Sequence, residues 1–91
     1  VAYRVGGKIF ALIALERMPP QVNLKCAPAR ANELRERYPQ GVLPGYHMNK
    51  KHWNTVLIGG LVPHVLVAEL VEHSWQLVFD RLTVAARAEI E

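Results

Sequence analysis

The chain has 91 residues, of which 51% are hydrophobic and 21% charged, and its formal net charge at pH 7 is +3. This length allows one domain, and the composition excludes a disordered chain and a fibrous repeat. Cys26 is the one cysteine, which excludes an internal disulfide and fits a reducing cytoplasm, and no apolar run reaches the roughly 18 residues of a membrane span. We therefore expect a cytoplasmic protein that does not associate with a membrane.

The first part of the chain has the pattern of three strands. Gly6-Gly7 separates two apolar runs, residues 1–5 and 8–14, and supplies the positive φ angles of a tight hairpin turn. The second run is apolar on both faces, which predicts a central strand covered on both sides or nearly so. After Pro19-Pro20, residues 21–25 alternate between polar and apolar, which predicts a half-buried third strand.

A helix is predicted to begin at Pro28, since proline suits the first helical position. Its apolar face has spacings of four, three and four, over Ala27, Ala31, Leu34 and Tyr38. Pro39 and Gly41 end this helix, and a loop follows over residues 39–51, in which we expect a short strand at 46–48.

Residues 52–58 alternate again and predict a strand that points Trp53 and Thr55 to one face and Asn54 and Val56 to the other. Pro63 then opens a long helix with a wide apolar stripe. His73-Ser74 predicts a kink or a second helix start within it, because serine is a preferred N-cap.

Residues 82–91 are expected to form a helical extension of that long helix, or a tail. Because three strands are followed by a helix, one or two more strands and then further helices, without a βαβ repeat, residues 1–91 are predicted to be a single α+β domain. Its antiparallel β-sheet is expected to carry the helices on one face.

Charge is unevenly distributed along the chain. Residues 1–60 hold nine Lys and Arg against three Glu, a balance of +6, whereas residues 61–91 hold two Arg against five Asp and Glu, a balance of −3. No acidic residue occurs between Arg37 and Ala68. This pattern favours an anionic partner such as nucleic acid, a phosphate or an acidic protein surface, and a merely solubilising surface is the alternative.

The residues give little indication of catalysis. Cys26 stands at a junction of strand and helix, where a helix N-terminus could activate its thiol, but a buried structural thiol is the simpler interpretation. His73 and Ser74 are adjacent on a helix and cannot face each other as a dyad. We expect no enzyme and no cofactor.

A metal site is not expected either. A weak site from His47, His52 and His64 is conceivable, but the chain lacks the cysteine and histidine spacing of closed zinc sites. The simpler interpretation is that these histidines are polar surface or hydrogen-bonding side chains.

The segment 45–55 has the strongest functional pattern, since it combines two lysines, two histidines, amides and aromatics without an acid. Lys50 and Lys51 are predicted to neutralise phosphates, and Asn49 and His52 to contact bases or sugars. Trp53 could stack on a base, although a tryptophan on an alternating strand is more often part of the core.

Several segments in order resemble the MmcQ/YjbR family. They are Gly7–Ala11, Val22–Lys25, Leu34–Pro39, Pro44–Val56 and Glu72–Val78, and the most specific is the run His47-Met48-Asn49-Lys50-Lys51-His52-Trp53-Asn54-Thr55. The resemblance covers about residues 3–82. It implies a frataxin-like (CyaY-like) fold with a double-wing arrangement, and DNA as the partner. Family members carry a helix before the first strand, and we expect that helix to be missing from this chain.

Two binding functions follow as hypotheses, and a dimer that binds no ligand is the third, structural alternative. The first is a non-enzymatic DNA-binding domain, a monomer or homodimer, in which Lys50 and Lys51 contact phosphates and Arg4, Lys8 and Lys25 extend the patch. The second is a small-molecule or protein-interaction module, in which Tyr46, His47, His52 and Trp53 line a pocket. The iron binding of frataxins is not expected, because it needs an acidic ridge and this chain's sheet is basic.

Overall fold

The computed structural model describes residues 1–45 and 48–90. The elements are, in chain order, β1 (Ala2–Val5), β2 (Lys8–Ala14), β3 (Gln21–Lys25), α1 (Pro28–Arg37), β4 (Val42–Pro44), β5 (Trp53–Leu57), α2 (His64–Asp80) and α3 (Val84–Ile90). The strands form one five-stranded antiparallel sheet in the order β1-β2-β3-β5-β4. The predicted α+β class is therefore confirmed.

The β1–β2 hairpin has the turn that the sequence predicts. Gly6 and Gly7 have φ angles of +56° and +80°, so both central residues are in the left-handed region that a type I′ turn requires. A side chain at Gly6 would also collide with Leu82, because a Cβ there would lie 2.6 Å from Leu82 Cδ1.

The core lies on one face of the sheet. Val22, Leu24 and Val56 are buried there together with Ala31 of α1 and Leu70 of α2. Both helices therefore pack against the same face, as the alternation of β3 and β5 predicts.

The other face of the sheet is less covered. Leu12 and Ala14 of β2 are half-buried on it, so the predicted central strand is inside the sheet but incompletely covered on this face. The physical reason is that an antiparallel sheet can leave one face to solvent. Near its centre, the buried Thr55 hydroxyl donates to Asn23 Oδ1 at 2.6 Å, which satisfies both polar groups.

Three predicted features differ in the structure. Helix α2 continues through His73 and Ser74 without a kink, because Ser74 is completely buried and bonds to the sheet instead of capping a helix. The segment after residue 82 is a separate helix rather than an extension of α2, and Thr83 Oγ1 accepts the Ala86 N–H at its start.

The third difference concerns the short strand of the loop. It lies at Val42–Pro44, earlier than expected, where Val42 is buried against the core. Of the residues 46–48 predicted for it, Tyr46 and His47 lie outside the described residues and Met48 is not in a strand. Among the described helices, none has the length and apolar character needed to cross a membrane.

Candidate functional site

Several cationic segments meet at one end of the sheet. Because the strands are antiparallel, the β1–β2 turn, the end of β3 at Lys25 and the start of β5 at Trp53 all lie at this end, and α2 finishes there with Arg81. We call it the basic end. Arg17, in the turn between β2 and β3, and Arg37, at the end of α1, lie towards the opposite end.

A cleft of about 660 Å³ opens at the basic end. Its wall combines four cationic residues, contributed by β1, β2, β3 and the end of α2, with aliphatic side chains and one indole; the residues are Arg4, Lys8, Lys25, Arg81, Ile9, Val78, Leu82, Trp53 and Gly7. No carboxylate is among these lining residues of the described chain. We call this cavity the basic cleft.

The cleft exists because the hairpin separates from the rest of the sheet. The pairing of β2 with β3 begins only at Ala11 and Leu24, and the β1–β2 register shifts by one residue beside Phe10. Ser74 occupies the gap: its hydroxyl donates to Phe10 O at 2.6 Å and accepts the Lys25 N–H at 2.8 Å. A serine on α2 thus replaces the strand pairing and fixes the spacing between the two strands.

Lys25 is the most enclosed cation of the cleft. It is half-buried, and burial, followed by the charge of Arg81, lowers the pKa of its ammonium group. Lys25 and Trp53 are direct partners across β3 and β5, so their side chains leave the sheet side by side. An anion bound here would relieve the repulsion between Lys25 and Arg81.

Arg35 of α1 positions the loop that carries the adjacent lysines. Its Nε donates to Asn54 Oδ1 at 2.7 Å, and its Nη2 donates to the carbonyl oxygens of Lys50 and, at 3.1 Å, of Trp53. The amide of the buried Asn54 also donates to Ala31 O at 3.4 Å. One guanidinium therefore holds both ends of the segment 50–53 against α1.

Asn49 builds the turn of this loop. Its Oδ1 accepts the Lys51 N–H at 2.9 Å, and its carbonyl accepts the N–H groups of His52 at 3.1 Å and Trp53 at 2.9 Å. The Lys50 and Lys51 side chains are exposed as a result, whereas His52 is half-buried and its carbonyl accepts the Cys26 N–H at 2.7 Å.

The described residues that were predicted for the site thus lie in two neighbouring places, the basic cleft and the loop beside it. Arg4, Lys8, Lys25 and Trp53 meet in the basic cleft, while Asn49, Lys50, Lys51 and His52 form the neighbouring loop. Tyr46 and His47, predicted for a pocket beside Trp53, lie outside the described residues.

Not all cations of the basic half of the sequence reach this end. Arg30 lies 4.0 Å from Glu69, the one ion pair between residues that the structure describes, and the Arg37 guanidinium lies 5.8 Å from the centre of the Tyr38 ring. Only some of the Lys and Arg side chains of residues 1–60 therefore lie at the basic end.

Sequence reasoning missed two residues of the site. Arg81 belongs to the acidic third of the chain, and its place in the cleft depends on which end of the sheet α2 reaches. Arg35 follows Ala31 by four residues, so helical spacing places it beside the buried face, but its partners come from another strand. An asparagine on the apolar face of β5 is the one sequence signal, because a buried amide needs partners.

The environment of Cys26 disfavours its reactive thiolate form. Cys26 is buried, and burial raises the pKa of its thiol. The charges of Arg30 and Arg35 and the Ala27 N–H lower this pKa, but their effect is smaller than that of burial. Within residues 1–45 and 48–90, no three His, Cys, Asp or Glu side chains come together in a group that could hold a metal ion.

Comparison with known proteins connects this fold to one family. The YjbR family model matches residues 1–77. The chain is 42% identical over 80 residues to the "Uncharacterized protein YbdF" of Escherichia coli O157:H7, a match that covers 88% of this chain and 65% of that protein. It is 36% identical over 73 residues to the "Uncharacterized protein YjbR" of Escherichia coli strain K12, covering 80% of this chain and 61% of that protein.

A solved structure is similar as well. The crystal structure of Deinococcus radiodurans protein DR2400, with a DUF419 domain, matches with a TM-score of 0.85 and 43% identity, over 91% of this chain and 61% of that one. The chain spans less than two thirds of the length of each of these three proteins.

Proposed function

The chain belongs to the YjbR family, and from that premise we propose that it is a non-enzymatic DNA-binding domain that holds phosphates at the basic end of its sheet. The observation that carries the proposal is the basic cleft, in which cations from β1, β2, β3 and the end of α2 share one wall without a carboxylate among the described lining residues. The exposed Lys50 and Lys51 extend this surface along the neighbouring loop.

The arrangement favours a polyanion for an electrostatic reason. Four like charges share one cleft, and burial, followed by the charge of Arg81, lowers the pKa of Lys25 there. A phosphate backbone would neutralise them and release its own condensed counterions, which gives affinity that falls steeply with salt. No catalytic step belongs to the proposal, since the one thiol of the chain is buried with a raised pKa.

Salt-dependent binding tests the proposal. Fluorescence anisotropy of labelled DNA, as single strand and as duplex, should give a binding constant that decreases linearly with salt on logarithmic axes. Each phosphate contact contributes about one unit of slope, so the double variant Lys50→Ala/Lys51→Ala should reduce the slope by up to about two units. The double variant Lys8→Ala/Arg81→Ala should do the same.

A matched control removes two cations from the opposite end of the sheet. Arg17→Ala/Arg37→Ala changes the net charge equally and should leave the slope nearly unchanged. If it weakens binding as much as the basic-end variants do, the attraction is general and the site is wrongly placed. If the parent chain binds neither form of DNA at low salt, DNA binding itself is refuted.

The concave shape of the cleft favours a second candidate function. A cavity of about 660 Å³ lies within the range of about 300–1,000 Å³ of small-molecule sites, and of the two described residues predicted for such a pocket, Trp53 lines it and His52 does not. A small anionic metabolite could then be the ligand. A screen for ligands that raise the melting temperature tests this, and a stabilising metabolite together with no response to DNA would favour it over the DNA hypothesis.

A further inference from the structure

We propose that the basic cleft receives a single nucleotide of single-stranded DNA, with the base against the Trp53 indole and the phosphate beside Lys25 and Arg81. This inference rests on the proposed function and adds the form of DNA that the site selects. The features that carry it are the position of the indole, the spacing of the cations and the fixed opening between β2 and β3.

The indole and the ammonium group are placed for one nucleotide. Trp53 and Lys25 are direct cross-strand partners, which puts their Cβ atoms about 5 Å apart on the same face of the sheet. Both residues also line the same cleft, so one nucleotide bound there can contact both side chains at once. Arg81 approaches the same space from the end of α2 and is close enough to influence Lys25 electrostatically.

The apolar part of the wall is suited to a base rather than to phosphate alone. The half-buried Ile9 and the more deeply buried Val78 and Leu82 are among the residues that line the cleft, and apolar side chains attract the flat face of a base rather than a charged oxygen. The exposed lysines of the loop provide no comparable apolar surface. The cleft therefore differs from a surface that binds only the DNA backbone.

Within a duplex the bases are stacked and paired, and their flat faces cannot reach an aromatic side chain. A base enters the cleft only when its strand is open, because Trp53 belongs to the wall of a concave cleft. Selection of single strands follows from this geometry.

The opening is built into the fold. Ser74 is completely buried and holds Phe10 and Lys25 apart through two hydrogen bonds of 2.6 and 2.8 Å. The cleft is consequently present without a ligand, and little ordering is needed on binding.

The emission of Trp53 provides a direct test. Trp75 is stacked on Phe79, with 4.8 Å between ring centres, and its replacement in a Trp75→Phe variant leaves Trp53 as the only tryptophan. Titration with a single-stranded oligothymidylate should quench the Trp53 emission. The duplex of the same sequence should bind at least about tenfold more weakly and leave the emission nearly unchanged.

Two variants then separate stacking from charge. Trp53→Leu should remove the preference for single strands while the chain keeps its salt-dependent affinity for duplex DNA. Lys25→Gln/Arg81→Gln retains the indole but should weaken the binding of single-stranded DNA more than the binding of duplex DNA. This second variant keeps the test valid if Trp53→Leu fails to fold. Arg17→Ala/Arg37→Ala is again the control.

The outcomes distinguish this inference from the proposed function. Equal binding of single strand and duplex, without a change in Trp53 emission, overturns the nucleotide site and leaves DNA binding intact. Binding of neither form at low salt overturns both. Quenching by the single strand that is lost in the Lys25→Gln/Arg81→Gln variant supports the nucleotide site.

Discussion

The guanidinium of Arg35 donates to the side-chain oxygen of Asn54 at 2.7 Å, across the interface between α1 and β5. The same guanidinium reaches the carbonyl oxygens of Lys50 and Trp53, so a helix residue determines the course of the lysine loop. Arg35 is therefore a positioning residue: its charge is used within the fold, and under the proposed function it acts on DNA only through Lys50 and Lys51.

Arg35→Ala should destabilise the chain by about 1–3 kcal/mol, because the buried Asn54 loses its donor. Urea unfolding measures this change, and Arg17→Ala, with the same loss of charge at an exposed position, should change the free energy of unfolding by less than about 0.5 kcal/mol.

Arg35→Lys separates position from charge. It conserves the net charge but cannot form the forked contacts of a guanidinium, so DNA affinity should fall several-fold in an anisotropy titration. Arg17→Lys is the matched control and should bind like the parent. Unchanged affinity of Arg35→Lys would mean that the loop does not need this support for binding.

Ser74→Ala should cost about 2–4 kcal/mol of the free energy of unfolding, because the N–H of Lys25 and the carbonyl of Phe10 both lose their partner. Gln76→Ala, on the exposed side of the same helix, removes only a surface hydrogen bond to Asp80 and should cost less than about 0.5 kcal/mol. Similar losses in the two variants would refute the role given to Ser74.

Gly45→Ala should destabilise the chain by about 1–3 kcal/mol and shift the emission of Trp53. A Cβ at residue 45 would lie 2.9 Å from Trp53 Cβ and 3.1 Å from its carbonyl oxygen, so the start of β5 must move. Gly60→Ala is the matched control, because a Cβ there has no neighbour within 4 Å. Urea unfolding followed by tryptophan fluorescence records both effects, and a Gly45→Ala chain as stable as Gly60→Ala would contradict the close approach.

His73 predicts a dependence of stability on pH. Its Nε2 accepts the Ala27 N–H at 3.4 Å, and burial, followed by the charge of Arg30, lowers the pKa of its imidazole. Between the lowered folded value and the ordinary value of about 6.5, the unfolded chain binds more protons than the folded chain. The free energy of unfolding should therefore fall as the pH decreases below about 6.5.

The contribution of His73 is the difference between variant and parent. In His73→Gln, the loss of stability between about pH 7.5 and about pH 5.5 should be smaller than in the parent. Parallel curves for His73→Gln and the parent would show that His73 does not titrate as described.

Much of the fold follows from local patterns. Gly6-Gly7 determines the hairpin because both residues need positive φ, and the alternation of residues 53–57 places Val56 in the core and Thr55 on the other face. The sequence predictions fail where a residue's local preference is overridden by contacts with residues distant in the sequence. Ser74 looks like a helix cap in the sequence, yet its hydroxyl is bound by two strands that lie far away in the chain.

The sequence by itself determined the strand and helix pattern, the family resemblance and the supply of cations, because these depend on residue type and on neighbours within a few positions. Only the tertiary structure decided which cations share a site: it brought Arg81 from the acidic third of the chain beside Lys25 and diverted Arg35 into the support of a loop. The physical reason is that electrostatic and hydrogen-bond energies depend on distance in space, and that distance is set by the direction of α2 across the sheet and by the register of β3 on β5.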